Sequence, residues 1–217
     1  KQNLSIIVIF QSFLKSKIND DSILKTLSLE DNDFLLHVGS FDKRKDLITL
    51  VKAFKLLKED KKNRHLKLVL AGQKILNGNA EVLDELEIYI LTNNLSKSVL
   101  ITDYLSNAEI NSLYKKALIY VFPSIEEGFG IPLLEAFAMK IPVVSSNAGA
   151  MVEIAEGAAE HYNAGDYIEL FKTLAKLIIS KPERSYLIDK GSERLKFFSR
   201  EKFIKDYEKL ILKSVKN

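Results

Sequence analysis

Two glutamates stand eight positions apart in the stretch FPSIEEGFGIPLLEAFAMKIPVV: Glu127 and Glu135. Gly128, Phe129, Gly130, Ile131, Pro132 and Leu134 lie between them. Carboxylates accept hydrogen bonds and therefore suit hydroxyl donors. Glycines let the backbone approach a ligand or take a positive φ. Pro132 fits the first position of a helix, and the unpaired amides there favour an anion. Each acid alone has a plain explanation. Glu135 falls in the first turn of the expected helix, where capping places acids, and Glu127 could be a solvated loop residue. Both acids, with the glycines and proline at fixed offsets, exceed what capping explains.

A second group is GSFDKRKD at 39–46. Gly39 and Ser40 are followed by Lys43, Arg44 and Lys45 at the expected start of another helix. Cations there suit an anion, although a solvated basic turn explains them equally well. The two groups together describe a compound ligand. The cations and the helix start at Pro132 would hold a diphosphate. Glu127 and Glu135 would hold hydroxyls of two rings on either side of it. That is a nucleotide-sugar.

Such residues need a frame that brings them together. Short apolar runs alternate with helical patterns along the chain. Strands are expected at 34–39, 66–72, 98–102, 118–124 and 142–146. Helices are expected at 20–31 (capped by Asp20 or Asp21), 46–60, 80–94, 107–117 (capped by Asn107) and 132–140. Strands rich in Val, Ile and Leu, each followed by a helix, predict a doubly wound parallel α/β sheet of about five or six strands. Ligands of such sheets sit beyond the carboxyl ends of the strands, where both groups fall. From Asp166 onward the pattern is helical, at about 166–179, 183–197 and 200–215. Residues 4–18 read as a strand or an entry segment.

Composition bounds the partners. The sequence has 217 residues with 47% hydrophobic and 28% charged content, which predicts a packed core and no internal domain boundary. It contains no cysteine, so disulfides and thiolate metal sites are excluded. His37, His65 and His161 show no metal-ligand spacing. A net charge of +3 is too small to indicate nucleic acid. Lys-rich helix faces leave a peripheral membrane association open.

The stretch SIEEGFGIPLLEAFAMKIPVVSSNAG resembles the signature of retaining GT-B glycosyltransferases, in particular glycosyltransferase family 4. LLHVGSFDKRKDLITLVKAF resembles that family's phosphate-binding strand, loop and helix. LITDYLSNAEINSLYKKALIYVFPS resembles the segment preceding the signature. The similarity covers nearly all of residues 33–205 and is confined to the Rossmann-like C-terminal, donor-binding half of such enzymes. It implies that Glu135 binds the ribose, that Glu127 binds the transferred sugar, and that Lys45 with Arg44 binds the diphosphate. It further implies that Gly39, Ser40 and Gly128 to Pro132, with Leu134, line the pocket and that Tyr104 contacts the base. Catalysis without metal or cofactor, a GDP- or UDP-sugar donor, a glycan or lipid-linked acceptor, and a cytoplasmic place at the inner membrane surface follow from the same resemblance.

There are departures. Ser40 stands where many members carry Arg, so that either one phosphate cation is missing or Lys43 substitutes for it, and Val152 stands where a Pro is usual. Residues 1–217 are expected to form one donor-binding domain without the N-terminal acceptor-binding domain, and so to transfer little or nothing alone. A non-catalytic nucleotide-sugar-binding module and a sugar-nucleotide epimerase of GT-B fold are the competing readings.

Overall fold

The computed structural model describes residues 20–30, 33–72 and 80–199, together with 202, 204 and 208. The expected segments at 4–18 and 200–215 lie outside the described residues, apart from those three positions. Six parallel strands form one sheet: β1 (Phe34–Val38), β2 (Lys67–Ala71), β3 (Val99–Thr102), β4 (Ile119–Phe122), β5 (Val143–Ser146) and β6 (Glu160–Tyr162). Their order is β3-β2-β1-β4-β5-β6. The chain winds outward from β1 to β3, then crosses back so that β4 pairs with β1 in parallel, Leu35 opposite Ile119. The β1/β4 border is therefore the topological switch point, the ligand position of doubly wound sheets.

The helices are α1 (Ser22–Thr26), α2 (Leu47–Glu59), α3 (Ala80–Thr92), α4 (Asn107–Lys116), α5 (Ile131–Ala138), α6 (Met151–Ala155), α7 (Tyr167–Ile179) and α8 (Lys181–Leu195). Strand residues alternate between two cores. Leu35, Leu68, Ile119 and Val144 face one layer with Leu50 and Phe54 of α2 and Leu174 of α7. Leu36, Val69, Tyr120 and Val143 face the other with Leu113 of α4 and Leu133 and Phe137 of α5. Burial on both faces explains why the strands carry continuous apolar runs.

Several boundaries differ from the sequence expectation. α1 is only five residues long, and Asp20 accepts from the Ser22 amide at 3.0 Å. Ser106, not Asn107, caps α4: it forms a capping box with Glu109, the paired arrangement that satisfies two orphan amides. Pro132 is the second residue of α5, behind Ile131. α6 and β6 were not anticipated. Both are short, and Glu160-His161-Tyr162 has no apolar run to mark a strand. The tail differs only in detail, with Lys181 opening α8 and a 3-10 turn at Lys196–Phe198 closing it. Gly191 of α8 lies where a Cβ would come within 2.8 Å of the Phe137 ring, so α8 seats closely on α5. Among the described residues no helix is long and apolar enough to cross a membrane.

Candidate active site

Two loops leave the carboxyl ends of β1 and β4 side by side. The first runs from Gly39 to Asp46. The Gly39 amide donates to Ala71 O at 2.9 Å, continuing the sheet ladder for one more residue. A Cβ at Gly39 would lie 3.0 Å from His37 Nε2 and 3.7 Å from Lys45 Cε, so the loop packs closely against both side chains. His37 donates from Nδ1 to Val121 O at 3.1 Å, and burial pushes its pKa down to about 4, which leaves the ring neutral.

Asp42 organises the loop. It accepts from the Arg44 amide at 3.0 Å, from Arg44 Nε and Nη2 at 3.3 Å each, and from Ser40 Oγ at 2.6 Å. Burial works against the Asp42 carboxylate, but Ser40 and Arg44 hold it below the usual range. The basic residues do not open α2, as the sequence suggested. They form a 3-10 turn of their own, Lys43–Lys45, closed by Asp46 in the left-handed region at φ 44°.

The second loop runs from Pro123 to Gly130. Its Ile125 amide donates to Arg44 O at 2.7 Å, tying it to the first. The side chains meet as well. Lys45 Nζ forms an ion pair with Glu127 Oε1, joining residues 82 apart in sequence. Both side chains are largely out of water, at 11% and 16% exposure. Ser124 Oγ adds a hydrogen bond to the same carboxylate oxygen at 3.2 Å, and the Lys45 ammonium lies 5.2 Å from the centre of the Phe122 ring. Glu126, by contrast, is exposed. Of the two adjacent acids, Glu127 is thus the one that meets Lys45.

Two further contacts fix the loop from below. Ser146 Oγ at the end of β5 donates to Ser124 O. Gly149 sits at φ 58°, where a Cβ would lie 2.8 Å from Glu127 O, so both its conformation and its neighbour require glycine. Phe129 meets Phe198 edge-on at 5.9 Å. Arg194 holds that end of the chain by donating to Ile154 O and Glu153 O at 2.8 and 2.9 Å.

Gly130, at φ 81°, caps α5 three residues after Glu127, so the same loop that carries Glu127 leads into the helix start. The Ile131 amide has no intrahelical acceptor at that position. Glu135 does not lie in the first turn: it is the fifth residue of α5, so capping cannot account for it. Burial pushes its carboxyl up to about 7. Burial above all holds the Tyr120 phenol above its ordinary range, and the charges of Glu135 and Glu127 add to that.

The remaining expected residues distribute as follows. Gly128 is exposed with open space beside its Cα. Ile131 and Pro132 are half-buried. The Leu134 side chain is 1% exposed and belongs to the core, so only its backbone can face a ligand. Tyr104 follows the edge strand β3, two strands from β1, with a ring 75% exposed. Lys43, the candidate substitute cation, does not pair with a group of the second loop. Its ammonium lies 3.8 Å from Glu81, at the surface. One Asp-x-Asp triplet, the arrangement that can hold a divalent ion, does occur at 31–33. Of these three residues the structure describes Asp33, which precedes the first residue of β1 and so lies at the amino end of that strand, away from the loops at the carboxyl ends. Among the described residues no cluster of three or more His, Asp or Glu could hold a metal ion. The sequence reading missed His37, Asp42, Ser124, Ser146 and Gly149. The only available signal was their place at strand ends, which many residues share.

O-antigen chain mannosyltransferase B of Escherichia coli is 29% identical over 132 residues, which is 61% of this chain and 33% of that protein. The capsular polysaccharide biosynthesis glycosyltransferase CapM of Staphylococcus aureus is 28% identical over 169 residues, 77% of this chain and 42% of CapM. The chain thus spans less than half the length of these relatives. Among solved structures, the C-terminal domain of a group 1 glycosyl transferase from Francisella tularensis superposes with a TM-score of 0.70 at 22% identity, covering 86% of this chain and 95% of that one. Anabaena HepE in complex with UDP superposes at 0.77 with 17% identity, covering 89% and 52%. At such identities these two likenesses speak for the fold. Residues 19–194 match the family model of the glycosyl transferases group 1, and the chain belongs to that family.

Proposed function

We propose that the chain is the donor-binding domain of a retaining, metal-independent glycosyltransferase of family 4. It would move a hexose from a nucleoside-diphosphate sugar to a glycan or lipid-linked acceptor at the cytoplasmic face of a membrane. The observation that carries this reading is the Lys45–Glu127 pair. It brings the cation of one switch-point loop against the carboxylate of the other, and the loop that carries Glu127 leads into the start of α5. The family match, and relatives named as mannosyltransferases, support the reaction class. HepE, seen with UDP and with glucose, supports the ligand class.

In this reading the bond between the anomeric carbon and the phosphate oxygen breaks, and its electrons leave with the diphosphate. The acceptor hydroxyl oxygen forms the new bond to that carbon, and its proton ends on the departing diphosphate. The sugar passes through an oxocarbenium-like state. Charge building on the diphosphate is met by Lys45, by Arg44 and by the amide end of α5. Glu127 holds hydroxyls of the sugar and Glu135 those of the ribose. The acceptor side of the cleft belongs to a second, N-terminal domain of the whole enzyme.

A thermal-shift panel of GDP-, UDP- and ADP-sugars tests the reading. At a hundredfold excess over Kd, a bound donor stabilises by about 2.7 kcal/mol, which for a domain of this size raises Tm by roughly 5–10 °C. A flat response across the whole panel contradicts the assignment. Joining the chain to an N-terminal half and assaying sugar transfer separates an enzyme from a binding module.

A further inference from the structure

We infer that Glu127 makes this site select the sugar-bearing nucleotide against the free nucleoside diphosphate, and so favours release of the spent product. The inference rests on the donor-site reading above and adds a specificity to it.

The phosphate loop is not a bare cation cluster. Each of its three basic side chains faces a carboxylate: Lys43 faces Glu81, Arg44 faces Asp42, and Lys45 faces Glu127. The first two pairs include well-exposed partners, and solvent screens them. The Lys45–Glu127 pair is different. Both side chains are largely buried, and Ser124 holds the carboxylate in place. A phosphate approaching Lys45 therefore also meets the charge of Glu127, at a position where water screens it poorly.

The two nucleotides differ in what they bring to that carboxylate. A free nucleoside diphosphate ends in a phosphate whose second ionisation lies near pH 6, so at neutral pH it carries about one negative charge more than its sugar ester. It offers Glu127 no hydroxyl donor. In the sugar ester that terminal oxygen is glycosylated, the extra charge is gone, and a ring with several hydroxyls lies alongside. A lysine ammonium has donors enough to keep Glu127 while also reaching a phosphate oxygen. Glu127 therefore repels one ligand and accepts hydrogen bonds from the other. Once the sugar has left, repulsion returns, and Lys45 closes again on Glu127.

Isothermal titration calorimetry of the 217-residue chain with UDP, UDP-glucose, GDP and GDP-mannose at neutral pH tests this. The proteins compared are the natural sequence, Glu127→Gln, which keeps shape and removes charge, and Glu127→Ala, which removes both. Circular dichroism verifies folding of each. For the base that the natural chain binds, both variants are expected to hold the free diphosphate about fivefold or more tighter and the sugar ester about fivefold or more weaker. An unchanged or weakened diphosphate affinity in both variants overturns the inference and leaves the donor site standing. If the natural chain binds none of these probes, nor ADP or ADP-glucose, the donor-site reading itself falls, and the inference with it.

Discussion

Replacing Glu135 with Gln should change how stability depends on pH. Glu135 is half-buried on α5, and burial raises its carboxyl from 4.5 to about 7. Between those values the unfolded chain has lost the proton while the native chain still holds it. Stability of the natural protein therefore falls as pH rises through that window and levels off above about pH 7. At about 1.4 kcal/mol per pH unit, with allowance for partial solvent access, the loss reaches about 2–3 kcal/mol. Glu135→Gln keeps the shape and carries no such proton. Urea denaturation at pH 4.5, 5.5, 6.5 and 8 reads the difference: the variant should gain on the natural chain by about 2–3 kcal/mol across the series. Parallel pH profiles for the two proteins would refute the reasoning. The same proton bears on function. The ionised carboxylate offers one oxygen to each ribose hydroxyl and makes the stronger, charge-assisted bonds, so affinity for a nucleotide-sugar should rise between pH 6 and pH 8, and this rise should vanish in Glu135→Gln.

Other perturbations follow from the same contacts. Lys45→Ala should weaken nucleotide-sugar binding about tenfold or more, about 1.4 kcal/mol, by calorimetry; unaltered affinity would remove Lys45 from the phosphate site. Gly149→Ala forces an L side chain to a positive φ and against Glu127 O, so it should lose about 2 kcal/mol in urea denaturation and bind donor more weakly as the loop shifts. Asp46→Asn suits the left-handed residue at φ 44° and removes a carboxylate whose pKa burial raises. It should raise stability by about 0.5–1 kcal/mol at neutral pH, and a lowered midpoint would show that the charge itself supports α2.

Much of this was legible in the sequence because the signals were periodic. Five of the six strands announced themselves as apolar runs, four of them closed by Gly, Pro or Ser, since strands buried on both faces admit little else. The leucine stripe of α2 did the same for a helix. β6 escaped because three residues on a sheet edge need no apolar run, as His161 and the exposed side of Glu160 show. The site was legible in types and spacing but not in partners. Lys45 and Glu127 could be named separately, yet no local pattern says that they touch, because that contact depends on how the sheet brings β1 and β4 together. The same holds for Ser146 and Gly149, which support the Glu127 loop from the neighbouring strand. Glu135 shows the opposite error. A shift of one residue in the start of α5 moved it out of the first turn and removed its ordinary explanation.

The central claim is that Lys45, Arg44 and the start of α5 hold a diphosphate while Glu135 and Glu127 hold the rings on its two sides. A crystal structure of the chain with a bound nucleotide-sugar tests it most directly. The account predicts phosphate oxygens within hydrogen-bond distance of Lys45 Nζ and the α5 amide end, ribose hydroxyls on Glu135, and hexose hydroxyls on Glu127. A nucleotide-sugar seated elsewhere, with Lys45 and Glu127 undisturbed, would contradict it.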